Sequence, residues 1–231
     1  FPDHYLHHFT FEENILEAES GCSIIALAVA AKEKALCNLE FASGIPGTVG
    51  GCIFMNAGAY KMEMCDIVEE VQVLRDGELV WLNKLDMGFS YRHSILKEHP
   101  DWIVTKVRFR LGYGDKDEIA EVMASRRERR LATQPLDKPC AGSTFKNPKE
   151  VPAWEAIEKV GMRGVRIGGA QVSEKHANFL INAGDATSHD VKALIQVIQT
   201  KVKEEYDIDL VTEVEQFTWK KEEMTLSTPT K

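Results

Sequence analysis

Two neighbouring glycine-rich segments are the most informative part of this sequence for its fold and function: Gly44-Ile45-Pro46-Gly47-Thr48-Val49-Gly50-Gly51 and Met55-Asn56-Ala57-Gly58-Ala59-Tyr60. Glycine adopts backbone angles closed to other residues and lets a ligand approach the main chain. Successive backbone N–H groups in such a segment can hold an anion or hydrogen-bond a flat ring. The segments match neither the Walker pattern nor G-x-G-x-x-G. From the residues alone, a ligand-contacting loop and a pair of tight turns both stay open.

Length and composition set the first bounds. The chain has 231 residues, 44% of them hydrophobic, which suits one large domain or two small ones. A net charge of -8 argues against a general nucleic-acid binder, and no apolar stretch has the length of a membrane span. The five cysteines are odd in number and show no C-x-x-C spacing, so we expect no metal site and no disulfide framework. Reduced thiols are typical of a cytoplasmic protein, the location that we expect.

Hydrophobic periodicity predicts a mixture of helices and strands. Asp76-Gly77 suits a two-residue type I′ turn, so we expect a hairpin over 68–82. In the segment 103–111, alternation predicts a half-buried strand whose inner face carries Ile103, Thr105, Val107, Phe109 and Leu111. The remaining predicted elements are strands at 14–19 and 208–214, and helices at 22–37, 117–132 and 191–206, the last capped by Thr187 or Ser188.

Two polar positions lie in candidate loops. Arg92 follows Tyr91 in the segment 89–94, and an arginine there can bind a carboxylate or phosphate through two parallel N–H bonds. An ordinary surface arginine is the simpler interpretation. Ser143 follows a glycine in the turn 140–148, where its hydroxyl can face a ligand. Because the G-x-S-x-G elbow is missing, a turn or capping serine is the simpler interpretation.

Two further positions lie beside apolar segments. His176 belongs to a polar cluster at 168–179 that precedes an apolar strand, and the cluster also fits a plain loop. Glu213 shares a face of the predicted last strand with Val211. A buried glutamate needs a partner or a chemical task, whereas a solvent-facing one needs neither.

Taken in order, these segments resemble one family. The chain resembles the UDP-N-acetylenolpyruvoylglucosamine reductase family from about residue 20 to residue 217, and the short distance from Tyr91 to Ser143 is closer to its compact second subtype. Seven motifs carry the resemblance: E-F-A-S-G-I-P-G-T-V-G-G, M-N-A-G-A-Y, F-S-Y-R-H-S, Q-P-L, A-G-S-T-F-K-N-P, G-G-A-Q-V-S-E-K-H-A-N-F and L-V-T-E-V.

The resemblance implies a flavin-dependent reduction in bacterial peptidoglycan synthesis. NADPH is the co-substrate that reduces FAD, and the flavin passes a hydride from N5 to C3 of the enolpyruvyl group. The substrate is UDP-N-acetylglucosamine-enolpyruvate and the product is UDP-N-acetylmuramate, so the chain would be a UDP-N-acetylmuramate dehydrogenase. A proton must reach C2 of the resulting enolate.

The resemblance also implies roles for individual residues. Arg92 would meet the substrate carboxylate, Ser143 would donate the proton to C2, and Glu213 would contact the enolate. Tyr91, Asn147 and His176 would bind the substrate together with Arg92. The implied FAD contacts are Gly44, Ile45, Pro46, Gly47, Thr48, Gly50, Gly51, Asn56, Ala57, Gly58, Tyr60 and Arg130.

The implied fold is α+β. An FAD-binding domain of the FAD-linked oxidase (PCMH) type would comprise 1–133 and 209–219, a smaller α+β substrate-binding domain 134–208, and a polar tail 220–231. The family's G-x-G-S-N loop for the FAD pyrophosphate is missing, so we expect the chain to lack the usual N-terminal domain and to bind FAD less tightly. Two alternatives stay open: a related flavin oxidoreductase with another substrate, and a UDP-sugar-binding fragment without FAD.

Overall fold

The computed structural model describes residues 5–215, which fall into two compact units divided between Ala132 and Thr133. The elements that begin in the first unit are β1 (Phe9–Glu12), β2 (Ile15–Glu19), α1 (Ile24–Glu33), β3 (Leu36–Cys37), α2 (Val49–Phe54), β4 (Gly58–Ala59), β5 (Met62–Glu63), α3 (Met64–Ile67), β6 (Val68–Arg75), β7 (Glu78–Asn83), β8 (Ile103–Arg110), β9 (Gly112–Tyr113) and α4 (Lys116–Thr133).

A five-stranded antiparallel sheet of order β1-β2-β8-β6-β7 forms the centre of this unit. Its buried side chains share one core with α1, whose inner face is formed by Ile24, Leu27, Ala28 and Ala31. The spacing i, i+3, i+4 and i+7 is that of one helix face. The predicted helix at 22–37 is shorter than expected because Ala35 takes a left-handed φ of 54° and leads into β3.

The predicted hairpin is confirmed. β6 and β7 pair from Glu70–Asn83 to Arg75–Glu78, and the two linking residues have positive φ, 52° at Asp76 and 81° at Gly77. Two successive positive φ values define the type I′ turn that suits the twist of paired strands.

Strand β8 differs from the prediction at one end. Val107 and Phe109 are fully buried as expected, but Ile103 is 52% exposed and Val104 is 9% exposed. The register of the β6–β8 ladder shifts along Gln72 and Val73, so that one residue of β8 has no partner. Such a bulge exchanges the inner and outer faces of the strand beyond it.

The second unit contains β10 (Cys140–Ser143), α5 (Ala153–Lys159), β11 (Arg166–Ile167), β12 (Ala170–Val172), β13 (Phe179–Asn182) and α6 (Ser188–Tyr206). The strands form an antiparallel sheet of order β10-β13-β12-β11. Thr187 caps α6 by accepting a hydrogen bond from the Asp190 N–H, and Leu194, Ile198 and Val202 of the helix are fully buried. This predicted helix is confirmed.

The segment after α6 differs from its prediction as a strand. Thr212 forms a single β-bridge with Phe145, and Leu210 is buried in the core of the second unit. Residues 209–215 therefore lie with the second unit, whereas the family resemblance predicts that 209–219 belong to the FAD-binding domain. Residues 216–219 and the predicted tail 220–231 lie outside the described part of the chain. Within that part, no helix combines the length and the apolar character needed to cross a bilayer.

Candidate active site

The glycine segment forms the entry to α2. Thr48 has an extended backbone and its Oγ1 accepts from the Gly51 N–H, so it is the N-cap of the helix. The first three N–H groups of α2 are used within the protein: Val49 donates to Cys22 O, Gly50 to Ser20 O, and Gly51 to Thr48 Oγ1. The exposed Gly47 differs, because a Cβ there would meet no atom within 4 Å. A ligand can therefore reach the main chain at Gly47 rather than along the whole segment.

Two other glycines of the segment make room for protein groups. A Cβ at Gly44 would lie 2.8 Å from Cδ of Arg130, and a Cβ at Gly50 would lie 3.1 Å from Cβ of Ser20. Pro46 is exposed, while Ile45 and Ala57 are partly buried and pack against the core. These glycines thus bring Arg130 and Ser20 against the predicted FAD-binding segment.

Helix α4 contributes two arginines to this region. The hydroxyl of Tyr60 donates to the carbonyl of Arg126 (3.1 Å), and the Arg126 guanidinium lies 4.7 Å from the centre of the Tyr60 ring. One turn further, Arg130 is partly buried, and burial lowers the pKa of its guanidinium from its usual value. An arginine keeps its charge in proteins even so. The predicted FAD residues Gly44, Tyr60 and Arg130 therefore meet beside a second cation, Arg126.

Two buried polar atoms near these segments lack a hydrogen-bond partner among the described residues. They are Oγ of Ser20, which packs against Gly50, and Nη1 of Arg126, which belongs to the side chain that covers Tyr60. Buried donors without partners are rare in proteins, and each needs an explanation. Both atoms are donors beside the segments predicted to bind FAD, a ligand rich in acceptor oxygens and ring nitrogens, so this part of the unit fits that cofactor.

Arg92 lies at the tip of a tight turn. Ser90 and His93 exchange two backbone hydrogen bonds of 3.1 and 3.0 Å, and Arg92 has a left-handed φ of 55°. Its Nη2 donates to the carbonyl of Gly58 (3.0 Å), and the guanidinium lies over the ring of Tyr91, 4.9 Å from its centre. The structure thus holds the predicted substrate arginine in a defined position.

Asn56, a predicted FAD contact, is fully buried and linked to the Arg92 turn. Its Nδ2 donates to Glu63 Oε2 (2.8 Å) and to the carbonyl of Ser90 (3.0 Å), while its Oδ1 accepts from the Cys65 N–H (3.0 Å). Both amide donors are used within the protein. The structure therefore gives Asn56 a role in holding the turn that carries Arg92.

In the second unit, one short backbone ladder joins the segments of Ser143 and Glu213. The carbonyl of Thr144 accepts from the N–H of Glu213 (2.8 Å), and the next residue, Phe145, bridges Thr212. Ser143 ends β10 opposite Phe179 of β13. The segments of two residues predicted to act on the same enolate, the proton donor Ser143 and Glu213, are thus brought together from positions seventy residues apart.

A buried asparagine fixes this ladder. Asn178, only 3% exposed, accepts from the Phe145 N–H through Oδ1 (2.9 Å) and donates from Nδ2 to the Phe145 carbonyl (2.8 Å). Its own carbonyl accepts from the Thr144 N–H (2.8 Å). The segment after Ser143 is consequently held on both sides.

His176 precedes this asparagine by two residues. Its Nδ1 accepts from the Asn178 N–H (3.3 Å), so in the neutral ring the proton lies on Nε2. Burial, followed by the charge of Arg163, lowers the pKa of His176 below its usual value. The ring packs against Phe179 at 4.8 Å and Trp154 at 6.5 Å between centres. His176 is therefore a neutral donor beside a half-exposed indole.

Asn147 uses its side chain locally. Its Oδ1 accepts from the N–H of Ala153, the first residue of α5, at 3.0 Å. The structure thus assigns Asn147 a part in starting α5, and its predicted contact with the substrate stays a prediction. Glu63, Arg126 and Asn178 are the residues that the sequence analysis did not single out for a role. Only pairing across distant segments reveals them.

Comparisons with known proteins identify the family. The sequence profile of the C-terminal domain of UDP-N-acetylenolpyruvoylglucosamine reductase matches residues 134–217, and an FAD-binding domain profile matches 5–83. UDP-N-acetylenolpyruvoylglucosamine reductase 1 of Bacillus thuringiensis is 43% identical over 91% of this chain and 70% of its own length. The chain belongs to the UDP-N-acetylenolpyruvoylglucosamine reductase family.

Two more comparisons agree with this family. The reductase of Thermotoga petrophila is 50% identical over 85% of this chain and 69% of its own length. The crystal structure of the reductase from Thermus caldophilus superposes with a TM-score of 0.78 at 36% identity, covering 89% of this chain and 73% of that one. The predicted fold class, a PCMH-type FAD-binding domain followed by a smaller α+β domain, is confirmed.

Proposed function

We propose that this chain catalyses the NADPH-dependent reduction of UDP-N-acetylglucosamine-enolpyruvate to UDP-N-acetylmuramate in peptidoglycan synthesis. The observation that carries the proposal is the ladder joining the segments of Ser143 and Glu213 in the unit that matches the reductase C-terminal domain. The cytoplasm is part of the proposal, because the five cysteines are free.

Arg92 would bind the carboxylate of the enolpyruvyl group. Bound FAD supplies the hydride carrier between NADPH and this group, and the FAD-binding domain match to residues 5–83 supports FAD contacts from the first unit. As hydride reaches C3, negative charge develops on C2 and spreads onto the carboxylate. A guanidinium that is already positioned where negative charge develops stabilises the transition state without having to reorganise. The defined turn of Arg92 supports this role.

Ser143 would act on the carbon that receives the proton, and Glu213 would contact the enolate. A serine hydroxyl is a weak acid, so it can protonate only a strongly basic carbon such as C2 of an enolate. Glu213 would share a hydrogen bond with the enol form from the segment that pairs with Thr144. The partial burial of both residues supports this role, since hydrogen bonds strengthen where water is excluded.

The predicted UDP-sugar contact at His176 has a physical basis in its protonation. A neutral imidazole with its proton on Nε2 donates to a sugar or phosphate oxygen and carries no charge that burial would penalise. The adjacent Trp154 ring supplies a flat apolar surface.

The first test is spectroscopic. The purified protein reconstituted with FAD should show flavin absorption bands, and NADPH should bleach them in the absence of the enolpyruvyl substrate. Adding that substrate should restore the bands and yield one UDP-N-acetylmuramate per NADPH. A colourless protein that binds UDP-sugar, or bands that the substrate fails to restore, would contradict the proposal.

The second test concerns Ser143. Ser143→Ala should leave bleaching by NADPH intact and slow the return of the bands by about 10²- to 10⁴-fold, the usual contribution of a positioned proton donor. Ser188→Ala, at the exposed start of α6, is the matched control and should change neither phase. An unchanged return of the bands in Ser143→Ala would remove this serine from its role.

A further inference from the structure

We propose that Glu63 is a positioning residue for Arg92, and that Asn56 links Glu63 to the turn that carries Arg92. The inference rests on the proposed function, because it assumes that Arg92 meets the substrate carboxylate. Oε1 of Glu63 lies 3.9 Å from Nη1 of Arg92, and the side chains are only 29% and 17% exposed. Glu63 would therefore fix the plane of the guanidinium before the substrate arrives.

Two contacts of the Arg92 guanidinium, with Gly58 and with Glu63, come from one two-stranded ladder. Gly58 of β4 and Glu63 of β5 are direct partners, and the arginine reaches the carbonyl of one and the carboxylate of the other. A Cβ at Gly58 would lie 2.5 Å from the Met62 carbonyl and 2.8 Å from Cγ of Glu63. Glycine at position 58 is therefore what lets the Glu63 side chain cross the ladder toward Arg92.

Asn56 fixes the other side of the carboxylate. Its Nδ2 bridges Oε2 of Glu63 and the carbonyl of Ser90, which opens the turn that presents Arg92. The arginine is thus held at its backbone and at its side chain by groups that share one buried amide. A left-handed φ is strained for a non-glycine residue, so the turn needs such support.

The arrangement predicts a specific kinetic effect. A misplacement of a charged group by about 1 Å can slow an oriented reaction about 10²-fold. Glu63→Ala should therefore slow reoxidation of the reduced flavin by the enolpyruvyl substrate about 10²-fold. Glu63→Gln keeps an acceptor for the Asn56 amide and removes only the charge. Its reoxidation rate should therefore fall less, about tenfold. Reduction of the flavin by NADPH should be unchanged in both variants.

A matched control, Glu98, follows the turn that carries Arg92. Glu98 pairs with His93 across 3.3 Å, next to Arg92, but at an exposed position. Glu98→Gln removes the same charge and should leave both half-reactions unchanged. Equal effects of Glu98→Gln and Glu63→Gln would show that the loop's charge matters and that Glu63 has no particular role.

A double-mutant cycle tests whether Glu63 acts through Arg92. If it does, adding Glu63→Ala to Arg92→Ala should slow reoxidation no further, because coupled residues are not additive. Independent, multiplying effects would overturn the inference, and so would normal reoxidation in both Glu63 variants beside a slow Arg92→Ala. A fast Arg92→Ala would instead refute the proposed role of Arg92. Should Glu63→Ala fail to fold, Glu63→Gln carries the same cycle.

Discussion

Asn56→Asp is the sharpest perturbation of the first unit, because it changes two donors and almost no shape. The Nδ2 bonds to Glu63 and Ser90 are lost, and an oxygen takes a place 2.8 Å from a carboxylate oxygen and 3.0 Å from a carbonyl oxygen. A neutral hydrogen bond contributes about 1 kcal/mol and one to a charged group about 1.5–3 kcal/mol. The expected loss in free energy of unfolding at pH 8 is therefore about 2.5–4 kcal/mol.

The loss should depend on pH. Two carboxyl groups at this distance cannot both be ionised, so the introduced group is expected to have a raised pKa in the folded state. The folded variant then holds a proton that the unfolded chain has released, and its stability falls as pH rises above about 4. The destabilisation should accordingly be smaller at pH 5 than at pH 8.

Urea unfolding followed by tryptophan fluorescence at the two pH values measures both effects. The control is Asn83→Asp, since Asn83 also donates from Nδ2 to a carboxylate, that of Asp86, but at an exposed position. It should change the free energy of unfolding by about 0.5 kcal/mol or less. A loss below about 1 kcal/mol for Asn56→Asp, or one that is equal at pH 5 and pH 8, would refute the reasoning.

Three further outcomes are expected. Lys61→Gly should raise the free energy of unfolding by about 0.5–1 kcal/mol in urea, because Lys61 has a φ of 66° whose strain outweighs the added flexibility of glycine; a loss would contradict this. Arg126→Met should keep or raise the melting temperature of the FAD-free protein, since it removes a buried unpaired donor, yet weaken FAD binding about tenfold by flavin fluorescence, whereas exposed Arg127→Met should leave FAD binding unchanged. His176 should titrate by NMR with a pKa below its usual value. The stability that its neutral form contributes is therefore complete above pH 6.5 and is lost as pH falls through the folded-state pKa. His176→Gln should abolish this pH dependence of the free energy of unfolding, and exposed His189→Gln should not.

Local rules account for much of what the sequence predicts correctly. The hairpin at Asp76-Gly77 and the helix capped by Thr187 follow from turn and capping chemistry that involves only a few adjacent residues. The family and fold class follow from the order of the motifs. None of these conclusions requires knowledge of which distant segments pair.

The features that the sequence analysis did not predict depend on such pairing. The face of Ile103 is set by a bulge in the ladder between β6 and β8, which neither strand shows by itself. Glu63 resembles any polar residue of a short hairpin until Arg92 is brought beside it from almost thirty residues away. The segment after α6 has the alternation of a strand but, among residues 5–215, it forms a β-bridge with Phe145 alone. Alternation shows that a segment favours a strand, but the segment becomes a strand only where another segment pairs with it.

Asn56 and Asn178 each tie together backbone segments that lie more than thirty positions apart, 34 for Asn56 with Ser90 and 33 for Asn178 with Phe145. Contacts between remote positions form only once the intervening chain has been brought into place. A refolding chain would therefore gain secondary structure well before it gains turnover. The recovery of catalytic rate during refolding would then report a late step of folding in both units of the enzyme.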